Sequence, residues 1–397
     1  MNIATLSMGY LRARALNTVL NVLLLGLGVG TITLLLLTMH QVDERMTRDA
    51  RGIDLVAGAK GSPMQVILSA IYHLDVPTGN IQLAQAREIA KHRMIKKTIP
   101  LALGDSYKGF RIVGTNHDYV AHYGGKPAAG RLWEKPMEAV IGVEVAQREK
   151  LSVGSKFTGA HGVADAGSEH ADAPYVVVGV LAPTNTVLDR LVLASVESVW
   201  LVHDQHQGTD APVTEEDKEI TAMLIQYGTP LAVAVLPRYI NNNSEMQAAS
   251  PAYETARLFS IVGVGIEALR GFAAVLILAA GLSVFIALYS ALEERRYELA
   301  VMRTLGASPG KLFGLLIGEA MVLSVLGVVL GLLLGHALAS ILGAWLERQQ
   351  HYPVTGLEWR PEELWVAAIA LGVGVVASIV PAWRAYRIDV SPTLARG

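Results

Sequence analysis

Glu293 to Arg303 packs three glutamates and three arginines into eleven residues, with a long apolar stretch on each side. Glu294 and Glu298 stand four residues apart, as do Leu299 and Arg303, so successive helical turns stack. Leu299, Met302 and Leu305 recur at helical spacing and predict one apolar face. Gly306 and Pro309 are stop signals. The chemistry on offer is recognition: a short amphipathic helix at a membrane surface suits docking onto a soluble partner. An ordinary solvated loop is the other reading that the residues alone allow.

Histidine offers a second kind of chemistry. Nine of the eleven histidines lie between His40 and His206. His161 and His170 share a polar loop with three acids, and His203 and His206 are three residues apart. Imidazole and carboxylate suit borderline metals such as zinc. His161, His170, His203 and His206 are therefore metal candidates, set against solvated surface histidines. Glu319 and His336 fall inside an apolar span, where an ionisable group is a functional candidate by default. Glu319 lies about two turns from one end of its span, so a structural role at the interface or against a neighbouring helix is favoured over transport. His336 is expected at the opposite interface.

These residues need elements to position them, and composition bounds what those are. The chain has 397 residues, 52% hydrophobic and 17% charged, with mean hydropathy +0.38. That combination implies membrane spans plus one large soluble insert. A net charge of −2 supplies no basic field, which argues against nucleic acid as a partner. Cysteine is absent, so disulfides and thiolate sites are excluded. No Gly-x-x-x-x-Gly-Lys-Ser/Thr segment occurs, so ATP, if it drives this protein, is bound by another chain.

In chain order, residues 1–16 form a short N-terminal segment and 17–39 a first span, too long for a cleaved signal peptide. Gly26, Gly28 and Gly30 make one side of it small. Residues 40–255 read as an α+β domain. Helices are expected at Met64–His73, Ala84–Arg93 and Glu144–Lys150. Strands are expected at 53–58, at Thr98–Leu103 and Phe110–Gly114 around a Gly104-Asp105 turn, and at 138–144. Further β-rich runs are 153–157, 175–181, 194–202 and 231–236. Residues 256–270 form a stalk, with Glu267 and Arg270 spaced to pair, and 271–292 a second span. The stalk is either a rigid extension of that span or a bent helix lying on the bilayer. The charged segment 293–311 follows, then a third span at 312–342. Its Gly314-x-x-x-Gly318 and Gly327-x-x-x-Gly331-x-x-x-Gly335 spacings put small residues on a common face. An outer loop at 343–363 has Trp345, Trp359 and Trp365 nearby, as in an aromatic belt. The fourth span, 364–381, ends at Pro381, and 382–397 is a tail.

The run Glu293-Glu-Arg-Arg-Tyr-Glu-Leu-Ala-Val-Met-Arg-Thr-Leu-Gly-Ala307 resembles the signature after the second span of FtsX/MacB-type ABC transporter permeases. Gly130-Arg-Leu-Trp133, Ala139-Val-Ile-Gly-Val-Glu-Val-Ala146, Leu151-Ser-Val-Gly-Ser-Lys-Phe157 and Tyr175-Val-Val-Val-Gly-Val-Leu181 resemble that family's extracytoplasmic core domain in order and spacing. The tail resembles the family's ending, except that Val390 and Ser391 separate Asp389 from Pro392. The resemblance implies four transmembrane helices with a large α+β domain inserted between the first and second. It implies a coupling helix at 293–311 seated on a cytoplasmic ATPase, with Glu294, Arg296, Glu298, Arg303, Leu305 and Gly306 as contact residues. It also implies ATP in a separate partner subunit, no cofactor or catalytic residue in this chain, a second copy of the chain, and a periplasmic adaptor or substrate protein.

Charge sets the orientation. Arg12, Arg14, Arg295, Arg296, Arg303, Lys311, Arg384, Arg387 and Arg396 fall on one side of four spans; the short opposite loop has Arg348 and Arg360 against Glu347, Glu358, Glu362 and Glu363. The positive-inside rule places the first set in the cytoplasm and the large domain in the periplasm, with the chain in the inner membrane. The expected function is transmission of ATP-driven motion to that domain, for efflux or extraction of a substrate from the periplasm or outer leaflet. The alternative is a membrane-anchored sensor or regulator, with a transition metal as one ligand, that transports nothing.

Overall fold

The computed structural model describes residues 15–161, 173–204, 218–350 and 354–388. One compact unit is centred on Asp43–Ile261; the other gathers the chain before it and from Val262 onward.

Helix α1 (Ala15–Asp49) opens the described chain. The domain follows as β1 (Leu55–Ala59), α2 (Pro63–Ala70), β2 (Ile81–Gln82), α3 (Leu83–Ala90), β3 (Ile95–Tyr107), β4 (Phe110–Thr115) and α4 (His117–His122). Next come β5 (Pro127–Gly130), β6 (Glu138–Ile141), α5 (Val143–Glu149), β7 (Lys156–Phe157), β8 (Ala160–His161) and β9 (Tyr175–Leu181). A 3-10 turn (Val187–Arg190) leads into β10 (Val192–Ser195) and α6 (Val196–Asp204). The domain ends with β11 (Glu219–Ile220), β12 (Ala222–Tyr227), α7 (Ala232–Asn243) and β13 (Met246–Ala249).

The strands form a mixed sheet ordered β13-β1-β12-β3-β4-β10-β6-β9-β5; β7 pairs with β9, β8 with β3, and β11 with β2 in a separate ribbon. Only β10–β4 and β6–β9 pair in parallel among the described strands. Burial alternates residue by residue along β9, so Tyr175, Val177, Gly179 and Leu181 point inward. One apolar cluster joins the strands to α3, α6 and α7 through Leu83, Ile89, Val199, Leu236 and Ile240. A second, around Phe110, Ile141, Phe157, Tyr175 and Val192, lies towards β9.

Several local expectations are corrected. β3 runs on through Gly104 and Asp105, and the hairpin turns instead at Lys108 and Gly109, both at positive φ. The run 231–236 is the start of helix α7, not a strand. Its Ala232, Leu236 and Ile240 recur at four-residue spacing and are buried, so the helical period outweighed β-propensity. The run 194–202 divides at Ser195 into strand and helix; the Ser195 Oγ accepts from the Ser198 backbone N–H at the switch.

In the other unit, α8 (Pro251–Glu294) is one unbroken helix, α9 (Arg296–Thr304) is short, and α10 (Pro309–Gln350) and α11 (Glu362–Tyr386) follow. At 1.5 Å per residue α8 is about 66 Å long, roughly twice the ~30 Å hydrocarbon core. Among the described residues four helices, α1, α8, α10 and α11, are long and apolar enough to cross a membrane. α11 passes through Pro381 instead of ending there; Pro381, Ala382 and Ala385 are buried, and that packing carries the helix past the hydrogen bond proline removes.

Glycine sets how closely the spans approach. A Cβ on Gly331 would sit 2.6 Å from Val29, and one on Gly335 2.6 Å from Thr33. A Cβ on Gly26 would meet Leu330, and one on Gly30 the Gly331 carbonyl, so α1 and α10 pack through small residues. Gly28 instead faces Ala273 and Ile277 of α8, which divides the three α1 glycines between two neighbours. Gly314 and Gly318 have no atom within 4 Å of such a Cβ and take no part in this packing.

Candidate functional site: the charged turn and the anchors of the long helices

α9 folds as a helix because its inner face is apolar and a glycine ends it. Leu299 and Ala300 are buried with Leu288, Leu292, Leu312, Leu316, Ala382 and Ile388. Burying Leu299 contributes about 2 kcal/mol. Gly306 closes the helix at φ +97, a conformation that favours glycine. The expected apolar face is shorter than its spacing implied: Leu299 is buried and Met302 half-buried, but Leu305 is 83% exposed.

The surface of the turn therefore carries Glu294, Arg296, Tyr297, Glu298, Leu305 and Gly306, all exposed. Arg303 is placed differently from the other sequence candidates. Its guanidinium turns inward and donates to the Ile388 carbonyl at 2.7 Å, tying α9 to the end of α11. Glu319 is buried on α10, with one carboxylate oxygen 3.6 Å from Arg295. Arg295 lies at the break between α8 and α9, so the pair holds the turn against the third span. Arg295 stands beside Arg296 in a charged run, and nothing in that run marks its inward direction.

The opposite end of this unit is held by polar contacts. Gln41 on α1 both donates to the Thr355 carbonyl, at 2.7 Å, and accepts from the Thr355 backbone N–H, at 2.8 Å. His336 contacts the Gly356 carbonyl through Nδ1 at 2.6 Å and the Glu363 carboxylate through Nε2 at 2.9 Å. Trp359 packs on the same imidazole. Glu363 also accepts from the Arg360 backbone N–H at the start of α11.

Within the large domain, two helix ends meet one side chain. The buried Tyr72 hydroxyl lies 2.8 Å from Thr255 Oγ1 in the first turns of α8 and donates to the Met46 carbonyl of α1 at 3.4 Å. Burial pushes this phenol up to about 12. Nearby, Asp49 at the end of α1 lies 3.3 Å from Arg190 and accepts from the Val187 backbone N–H at 2.8 Å. Burial raises the Asp49 carboxyl above its ordinary range, opposed mainly by Arg190. Tyr123 donates to the Asp49 carbonyl at 2.8 Å, and Arg190 to the Tyr72 carbonyl at 3.2 Å. None of these anchors was singled out from sequence; each joins residues far apart in the chain.

His170 and His206 lie outside the described residues, as do the side chains of His161 and His203. Among the described residues no group of three or more histidines and acids is placed to hold a metal.

Comparison with known proteins bears on this arrangement. Residues 18–226 match the model of the MacB-like periplasmic core domain, and residues 270–390 that of the FtsX-like permease C-terminal region. The chain is 24% identical over 307 residues to the lipoprotein-releasing system transmembrane protein LolC of Neisseria meningitidis serogroup B, covering 69% of each. It is 31% identical over 129 residues to the macrolide export ATP-binding/permease protein MacB of Nitrobacter winogradskyi, covering 32% of this chain and 19% of that one. A crystal structure of the periplasmic region of MacB from Actinobacillus actinomycetemcomitans aligns with a TM-score of 0.35 and 13% identity, over 54% of this chain and 97% of the other.

Proposed function

The chain belongs to the family of ABC transporter permeases with a MacB-like periplasmic core domain and an FtsX-like membrane region, and from that premise we propose that it transmits ATP-driven motion from a separate cytoplasmic ATPase to its periplasmic domain. It is a multi-pass inner-membrane permease subunit. The finer reading is efflux or extraction of a substrate from the periplasm or outer leaflet by two copies of the chain, with ATP held by the partner and a periplasmic adaptor or substrate protein engaged outside.

One observation carries this reading. The charged turn presents Glu294 at the end of α8, Arg296 and Glu298 on α9 and Leu305 just after it outward, while Leu299, Ala300 and Arg303 fix the inner face of α9. A large exposed leucine beside a row of mixed charges on a firmly seated short helix suits insertion into a groove on a soluble protein, with the charges setting register. The unbroken α8 leads from Pro251 to the turn itself. Force on α9 reaches α8 through the packing of Leu299 on Leu288 and Leu292, and reaches α10 through Arg295 and Glu319.

Affinity purification of the full chain from its own membranes tests this. A stoichiometric P-loop ATPase is expected, lost in Leu305→Asp and in Glu298→Lys while the permease still elutes as a folded species. A permease that purifies without any ATPase, or one whose ATPase binds both variants equally, would refute the assignment.

A further inference from the structure

On an exposed side of the membrane unit, α8 and α11 leave a groove of about 520 Å³ with almost wholly apolar walls. Its walls include Leu278, Gly281 and Phe285 of α8 and Gly372, Val376 and Val380 of α11. Glycine makes it a furrow. Gly281 lets Val373 close in, since a Cβ there would lie 2.6 Å from that side chain, and Gly372 has no atom within 4 Å of the space its Cβ would fill. On α11 the lining runs from Ile369 to Val380. Eleven residues of rise make about 17 Å, close to half of a ~30 Å hydrocarbon core. The α11 wall thus matches one leaflet in length, and the α8 wall, from Leu278 to Phe285, adds about 11 Å beside it.

Paired cations and aromatic rings cluster at the end near Phe285 and Val380. One turn beyond Phe285 and Val380 are Tyr289 and Arg384. The Arg384 guanidinium donates to the Tyr289 hydroxyl and stacks over its ring at 4.9 Å. Phe285 stacks with Tyr289 at 5.9 Å. One turn from Arg384, the Arg387 guanidinium lies 4.9 Å over the exposed Trp383 ring. Both arginines are exposed, and each guanidinium has further N–H donors beyond these contacts. Because α8 and α11 both run from periplasm to cytoplasm, this end lies at the cytoplasmic headgroup level.

We propose that this groove binds an anionic phospholipid of the cytoplasmic leaflet: one acyl chain lies between α8 and α11, and the phosphate is held by Arg384 and Arg387. The charge complementarity selects the occupant. A zwitterionic lipid fills the furrow equally well but brings its own cation to a doubly cationic mouth, whereas phosphatidylglycerol brings a net negative charge. The site needs no ATPase and stands apart from the docking role of α9.

Native mass spectrometry of the full chain, equilibrated with equimolar phosphatidylglycerol and phosphatidylcholine of identical acyl chains, tests it. One retained phosphatidylglycerol per chain is expected, at least tenfold over phosphatidylcholine. Arg384→Gln should cut that retention about tenfold and Arg384→Lys should preserve most of it. Gly372→Leu, which grows into empty space, should displace the lipid without disturbing the fold, as read by thermal melting. Equal retention of the two lipids, or unchanged phosphatidylglycerol in both Arg384→Gln and Gly372→Leu, would overturn the proposal. So would efficient disulfide-linked dimers of Val376→Cys in an otherwise cysteine-free chain, which would put a second copy in the groove.

Discussion

The Arg295 guanidinium lies 3.6 Å from the Glu319 carboxylate, and both side chains are largely buried. The pair joins the start of α9 to the third span, so the acid that the sequence marked as an intramembrane candidate works as a clamp on the charged turn. Breaking a buried pair by removing one partner costs about 3–5 kcal/mol. Glu319→Gln and Arg295→Gln should each lower the melting temperature in detergent and reduce permease-stimulated ATP hydrolysis. The apolar double variant Arg295→Met/Glu319→Leu should recover most of the stability, because burying two methylene-rich side chains avoids the desolvation cost. A double variant as unstable as the singles would show that the charges do more than hold position.

Arg303 and Glu298 share one short helix yet face opposite ways. Glu298→Lys should weaken ATPase binding and leave the melting temperature within about 1 °C, since an exposed ion contributes little to stability. Arg303→Ala should destabilise the end of α11 by about 1.5–3 kcal/mol, the worth of a charged hydrogen bond, before any effect on the partner is counted. Hydrogen exchange at residues 382–388 checks it: faster exchange in Arg303→Ala and none in Glu298→Lys is the expected pattern.

The four spans, the inserted domain and the helical turn were legible because each is a property of one stretch: hydropathy for the spans, charge and spacing for α9. The anchors were not. Tyr72 meets Met46 and Thr255, Arg190 meets Asp49, and Gln41 meets Thr355, all pairings that exist only once the chain has folded. The inward turn of Arg303 was hidden for the same reason; a charged residue on a surface helix reads as solvated unless its partner is visible. The glycines of α10 show both outcomes. Gly327, Gly331 and Gly335 meet α1, while the identical spacing of Gly314 and Gly318 meets nothing. Spacing fixes a face but says nothing about whether a neighbour covers it.

Tyr72→Phe removes one hydroxyl that touches both α1 and α8. The ring keeps its packing, so the loss is about 1 kcal/mol. The larger expected effect is mechanical. Hydrogen exchange should rise at residues 46–50 and 251–257 with the sheet unchanged, and ATP hydrolysis should continue while transport falls. Parallel loss of both activities would show that the hydroxyl is a folding contact alone.

Gly331→Leu forces a side chain into Val29, where a Cβ alone already lies 2.6 Å away, and should prevent close packing of α1 on α10. Gly314→Ala and Gly318→Ala place a methyl in open space and should be neutral or slightly stabilising, because alanine favours helix over glycine. Yield and elution profile in detergent separate the two sets.

His73 supplies a pH dependence with a definite sign. Its imidazole is buried, lies 3.0 Å from the Tyr119 hydroxyl, and has Arg190 and Arg111 nearby. Burial, reinforced by both guanidinium charges, holds its pKa well below the ordinary 6.5. In the unfolded chain the same group titrates near 6.5. As pH falls below that value the unfolded state takes up a proton that the folded state refuses, so stability drops by about 1.4 kcal/mol per pH unit until the folded group titrates. Melting of the full chain should therefore shift downward between pH 7.5 and pH 5. His73→Asn removes the titration and tolerates the left-handed backbone at this position, where φ is +53. That variant should start less stable at pH 7.5 and lose distinctly less on acidification. An equal acid shift in both proteins would assign the pH dependence to other groups.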